Sequence, residues 1–345
     1  MLPRERQLAA VGRRVPDRIP VDAIHVENMA AIAAHLGIAD ADVPDRLGLD
    51  GRIVSVGYTG EVPGQDRGLN EWGSEAFDDY GTGHVFPLAA AGSIAAVERH
   101  AWPDPARYDY AGAADRARAA ASTYAVRGPY WVPVFCQACS LMGMEEALAA
   151  LMLEPVVFEA VIERVAAHVE ELCRRFLAAA GDAVDILCIG DDFATQRGLL
   201  MRPELWRRHL KPRLARIFAV GHAAGKPVWF HSCGDITAVL PDLVDIGMDV
   251  WETVQLHALP LSARDLKREY GRHIAFFGGV NTQRLPWATP AEVADEVRRC
   301  IEALGGGGGY ICGPDHHVKP DVSAGTTLAL FDAATAFRGP GFTTA

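Results

Sequence analysis

The sequence predicts an α/β chain forming a TIM (β/α)8 barrel, with an N-terminal extension and an inserted loop region near residues 59–125. Two observations carry this. From about residue 126 onward, short β-like runs alternate with amphipathic helical stretches, the pattern of repeated βα units that pair into a parallel sheet. Two further strand candidates precede that region and bring the total to eight, the number that closes such a barrel. A chain of 345 residues fits either two ordinary domains or one large barrel, and the strand count favours a single domain over 1–345.

In chain order the strand candidates are RIPVDAI (18–24), RIVSVGY (52–58), WVPVF (131–135), DILCIG (185–190), PVWFHSC (227–233), DVWETV (249–254), IAFFGGV (274–280) and GYIC (309–312). Between the third and fourth, apolar residues at 157, 161, 165, 169, 172 and 176 follow a helical stripe, and Gly181 can end that helix. Residues 59–125 begin Gly-rich and irregular and become an Ala-rich helical stretch, read as an insertion over the barrel mouth. The pentaglycine at 305–309 has no Lys-Ser or Lys-Thr after it, so it reads as a helix stop and turn rather than a phosphate loop.

The formal charge of −11, with Lys and Arg scattered singly, offers no basic stripe and argues against nucleic acid as a partner. The amino terminus is charged and proline-punctuated, and no apolar run approaches a membrane span, so a cytoplasmic protein is expected. The seven cysteines form no disulfide framework. The CQAC motif at 136–139 lacks a second pair and reads as two structural thiols.

The chemistry concentrates in WFHSCGD (229–235). Strand alternation points Trp229, His231 and Cys233 to one face, inward in a barrel, at the C-terminal strand end where such barrels place their active sites. Imidazole plus thiolate suits zinc, and a catalytic zinc needs about three protein ligands. Completing residues are sought at neighbouring strand ends: Glu252, one βα unit further on, and Cys312 or His316 around the last strand. Asp191 and Asp192 are candidates for proton transfer or substrate anchoring, against helix capping as the plainer role. Trp229, Trp251, Phe193, Phe276 and Phe277 are candidates for an apolar pocket or for core, and Asp315 and His317 accompany His316.

The segments RVPDRIPV (14–21), GDDFATQRGLLMRPELWRRHLKPRL (190–214), HSCGDI (231–236) and GPDHHVKPDV (313–322) resemble the uroporphyrinogen decarboxylase superfamily of TIM barrels. That superfamily also contains zinc-dependent methyltransferases acting with corrinoids. Its decarboxylase branch grips a polycarboxylate with an arginine-rich segment after the first strand; VDAIHVENMA (21–30) has no arginine, which disfavours that branch. For the methyltransferase branch, the resemblance implies His231 and Cys233 as zinc ligands, Glu252 as an exchangeable acid or base, and either Cys312 or His316 as third ligand. It also implies a small methylated or thiol substrate and a cobalamin cofactor or corrinoid partner protein. A metal-independent decarboxylase and a non-catalytic ligand-binding barrel are the alternatives.

Overall fold

The computed structural model describes residues 1–75, 85–153 and 155–337. Seven strands form one curled sheet: β1 (Gly51–Ile53), β2 (Ala125–Pro129), β3 (Ile186–Gly190), β4 (Val228–His231), β5 (Val250–Val254), β6 (Ala275–Val280) and β7 (Tyr310–Pro314). They lie side by side in chain order and every pairing is parallel. The eighth stave is the predicted segment 18–24, held by single bonds rather than a full ladder. Cys312 N–H donates to the Pro20 carbonyl and Asp22 N–H to the Cys312 carbonyl, while Asp50 N–H on the other side reaches the Val21 carbonyl. The barrel thus closes, as eight parallel staves require.

One expected strand is corrected. WVPVF (131–135) is not a strand: the sheet takes Ala125–Pro129 instead, Tyr130 turns the chain at φ 82°, and Phe135 already opens the helix Phe135–Met142. AVRGP lacks the apolar run of a buried parallel strand because Arg127 points into the barrel. Its guanidinium pairs with Asp22 and lies 4.6 Å over the Trp229 ring. The other strands agree with expectation to within a few residues, β1 being the shortest.

Alternation along the strands divides the core in two. Ile186, Cys188, Trp229, Val250, Ala275, Phe277 and Ile311 fill the interior, where Ala10 and Val11 join them. The N-terminal extension is therefore a plug: the helix Pro3–Val11 packs against β1, β2 and β7, tied down by Arg4 to Asp185 and Gln7 to Asp22. The outward faces, including Leu187, Ile189, Val228, Phe230, Trp251 and Cys312, meet the helical layer. The long helix Pro155–Ala180 buries all six residues of its predicted stripe.

Within 59–125, residues 76–84 of the Gly-rich stretch lie outside the described residues. The Ala-rich end of that region, Tyr110–Ala121, packs on the long helix and leads into β2, so it belongs to the barrel's own helical layer. The pentaglycine is a turn: Gly307, Gly308 and Gly309 all have φ between 73° and 84°, which side-chain-bearing residues rarely adopt, and β7 starts directly after them.

Breaking the buried pair is expected to be costly. Arg127→Met should lower the unfolding free energy by about 3–5 kcal/mol in denaturant titration, because it strands Asp22 without a counter-charge. Arg127→Met combined with Asp22→Leu should recover part of that loss.

Candidate metal centre at the barrel mouth

The register of the sheet builds the site. β3 and β4 set Gly190 beside His231, and β4 and β5 set His231 beside Glu252. Position 190 has to be glycine: a Cβ there would stand 2.9 Å from the Trp131 ring and 3.0 Å from the His231 Cβ. The chain leaves β4 after His231, and Cys233 folds back so that its Sγ lies 3.5 Å from His231 Nε2. His316, two residues beyond β7, brings a second imidazole. One ligand atom from each of His231, Cys233 and His316 falls within 4.8 Å of the others, the only such group among the described residues.

Glu252 stands behind this group rather than in it. Its carboxylate is fully buried and accepts from His231 Nδ1 at 2.8 Å and from the Trp229 indole N–H. Both oxygens are therefore engaged, and His231 is left with Nε2 turned toward Cys233. This is the carboxylate–histidine arrangement that fixes ring orientation and raises ligand basicity in metal sites. Although burial acts the other way, His231, Arg127 and Trp229 hold the Glu252 carboxyl below its ordinary range. Burial would also depress His231, yet Cys233, Glu252 and Asp192 raise its pKa well above the usual imidazole value.

The two aspartates after β3 divide. Asp191 is fully buried and accepts the backbone N–H groups of Phe135 (2.7 Å) and Cys136 (3.0 Å), capping the helix Phe135–Met142. Burial pushes its carboxyl up to about 7. Asp192 turns to the mouth, where its Oδ1 accepts the Cys233 N–H at 2.7 Å and lies 3.7 Å from His231 Nε2. It is the acid on the open side of the group, the place the resemblance implied for Glu252.

Cys312 is not brought to the site. It sits on the outward face of β7 in the packing layer between sheet and helices, while its neighbour Ile311 faces the interior. Burial pushes its thiol up to about 12. His316, the other candidate, is held neutral: burial and the charge of His231 lower it to about 4. Neutral imidazole is the form that binds metal. Of the aromatic candidates, Trp229 and Phe277 are interior, whereas Phe193, Trp251 and Phe276 are outer-layer core. Asp315 is buried and accepts from the Thr282 backbone and hydroxyl. His317 meets Glu27 at 3.1 Å. Cys136 and Cys139 are buried thiols with pKa values raised by burial, as structural thiols would be.

Tyr130 and Trp131 did not stand out in the sequence, hidden inside or beside a misplaced strand. Their rings lie 6.4 and 5.4 Å from that of His231. Two cavities open at the mouth. One, of about 370 Å³, is lined by Cys233, His316, Gln255, Thr282, Gln283 and Lys319 among others. The other, of about 490 Å³, is aromatic and includes Tyr130 and Trp131 in its wall.

The fold and this site define a class, a closed parallel barrel with its chemistry at the C-terminal strand ends. Residues 112–337 match the family model for uroporphyrinogen decarboxylase (URO-D), and the chain belongs to that family. Among solved structures, a methyltransferase from Methanosarcina mazei superposes with TM-score 0.69 over 97% of this chain and 98% of that one, at 18% identity, a likeness of fold. A glycosylated endo-beta-1,4-xylanase of glycoside hydrolase family 10 from Gloeophyllum trabeum is 12% identical over 71% of this chain and 91% of that one, with TM-score 0.38. No curated protein matches the chain. No helix among the described residues is long and apolar enough to cross a membrane.

Two outcomes are expected. Cys233→Ala should abolish stoichiometric zinc in elemental analysis while Cys312→Ala retains it, and Glu252→Gln should weaken zinc about 10–100-fold in chelator competition with circular dichroism unchanged. Separately, burial holds His168, beside the aromatic cavity, down at about 4. A depressed imidazole adds stability that is complete above the unfolded value near 6.5 and is lost as pH falls through 4. His168→Gln should remove up to roughly 3 kcal/mol of that pH dependence between those limits, read from unfolding midpoints at successive pH values.

Proposed function

We propose that the protein is a zinc-dependent methyltransferase moving a methyl group between a small methylated substrate or thiol and a corrinoid. The observation that carries this reading is the convergence of His231, Cys233 and His316 at the barrel mouth, with Glu252 behind His231. The donor set fits zinc: two imidazoles and a thiol, three protein ligands with room for a fourth. His231, Cys233 and His316 would hold the ion, with Asp192 as the neighbouring acid. Bound there, zinc would lower the pKa of a thiol or act as a Lewis acid toward a methyl-bearing heteroatom.

The chain's own residues do the rest. Glu252 holds the His231 Nδ1–H, so Nε2 is the nitrogen turned toward a ligand, and its proton has to leave when a cation binds. Burial and Asp192 raise the Cys233 thiol in the free protein, so loading a cation has to displace a proton and metal affinity should fall as pH drops. Asp192 holds the Cys233 backbone and can take or return a proton at the open side. Among the described residues, no arginine lines either mouth cavity, which supports methyl transfer over the binding of a polycarboxylate.

The test is spectroscopic. Zinc-loaded protein with a thiol should convert methylcobalamin to its demethylated form, followed by the change in the corrinoid absorption spectrum, and Cys233→Ala should reduce the rate at least a hundredfold, on the scale of losing an essential group (~3 kcal/mol). Metal-free, fully folded protein from zinc-replete medium would overturn the reading. So would carbon dioxide release from a carboxylic acid that persists after metal removal.

A further inference from the structure

The aromatic cavity of about 490 Å³ bears on which compound carries the methyl group. We propose that it binds a small quaternary ammonium ion as methyl donor, an inference that rests on methyl transfer at the adjoining metal centre. Four aromatic side chains, Trp72, Tyr108, Tyr130 and Trp131, contribute to its lining, and so does the carboxylate of Glu71. Among the described residues, no lysine or arginine lines it. Such a chamber offers aromatic rings and a carboxylate to a cation, and it is apolar enough to accept methyl groups.

Glu71 is little compensated from within the protein. Its hydrogen bond among the described residues comes from the Tyr108 hydroxyl at 3.2 Å, and that hydroxyl also lies 3.1 Å from His168 Nε2. Glu71 makes no ion pair among the described residues. An anionic ligand would be repelled here. A neutral one would forgo the attraction of rings and carboxylate that a cation collects from both. Tyr130 and Trp131, whose rings lie 6.4 and 5.4 Å from that of His231, form the wall that the chamber shares with the metal group.

The chemistry balances without an acid. One N–CH3 bond breaks and its electron pair stays on nitrogen, so the amine departs neutral. The methyl group passes to a nucleophile, a thiolate or a reduced corrinoid, whose electron pair forms the new bond. No proton is needed by the leaving group, consistent with a chamber whose histidine, His168, is buried against Trp72 and Tyr108.

Isothermal titration calorimetry with choline, tetramethylammonium and the neutral choline isostere 3,3-dimethylbutan-1-ol tests the proposal. The ammonium ions should bind saturably, the alcohol about tenfold or more weaker, and Glu71→Gln should weaken choline about tenfold. Glu71 and Trp131 are both partly exposed, so Glu71→Gln and Trp131→Ala should keep the fold, checked by circular dichroism, and Trp131→Ala should also weaken choline. Equal binding of alcohol and choline, an unchanged Glu71→Gln variant, or no saturable binding of either ammonium ion would overturn it. The measurement needs neither zinc nor corrinoid and can be repeated on Cys233→Ala. Charge-selective binding without methyl exchange would uphold the cation site and sink the methyltransferase reading; methyl exchange without ammonium binding would do the reverse.

Discussion

The barrel interior contains charge, and the rest of the molecule is arranged around keeping that charge paired. Arg127 is fully buried on β2, bonded to Asp22 and lying over Trp229, and Glu252 is buried at the level of β5 with His231 and Trp229 as its donors. Removing ions from water costs several kcal/mol each unless geometry and hydrogen bonds compensate. Here each charged residue finds its partners on another stave, so the compensation exists only when the barrel is closed in one register. The helix Pro3–Val11 depends on the same set, since Gln7 donates to Asp22 from below.

That register decides what the mouth can do. With His231 beside Glu252, the imidazole has one orientation and its Nε2 faces Cys233 and His316. With Gly190 beside His231, there is space for Trp131 to stack across the strand ends. Tyr130 sits at positive φ for a residue with a side chain, a conformation costing on the order of 1–3 kcal/mol that a packed surrounding has to sustain. Tyr130 at this point ends β2 and, with Trp131, enters the wall of the aromatic chamber.

Much of the frame was legible in the sequence because it follows from periodicity. The stripe from Val157 to Phe176 and the apolar runs of β3 to β7 depend on local alternation, which a single segment displays by itself. β2 was not legible, because AVRGP contains a charge whose partner, Asp22, is 105 residues away. The apolar neighbours WVPVF mimicked the strand that the pairing of Arg127 had placed elsewhere. The site divides in the same way. His231 and Cys233 stand two positions apart, with only Ser232 between them, at one strand end, so their meeting could be read directly. Cys312 and His316 are both plausible ligands in sequence, but β7 turns Cys312 outward and the turn after it brings His316 to His231 and Cys233 at the mouth.

What the sequence by itself determined is the class of the molecule: repeated βα units, a closing count of eight staves, and a histidine–cysteine pair at the chemical end of a strand. These are local patterns, and local patterns survive without knowledge of partners. Only the tertiary structure decided that Glu252 supports His231 from behind, that Asp192 rather than Asp191 faces the opening, and that Trp131 walls a cavity next to the candidate metal group. Each of those depends on the stagger between strands far apart in the chain, and the stagger is set by burial and charge pairing across the closed barrel, which no single segment encodes.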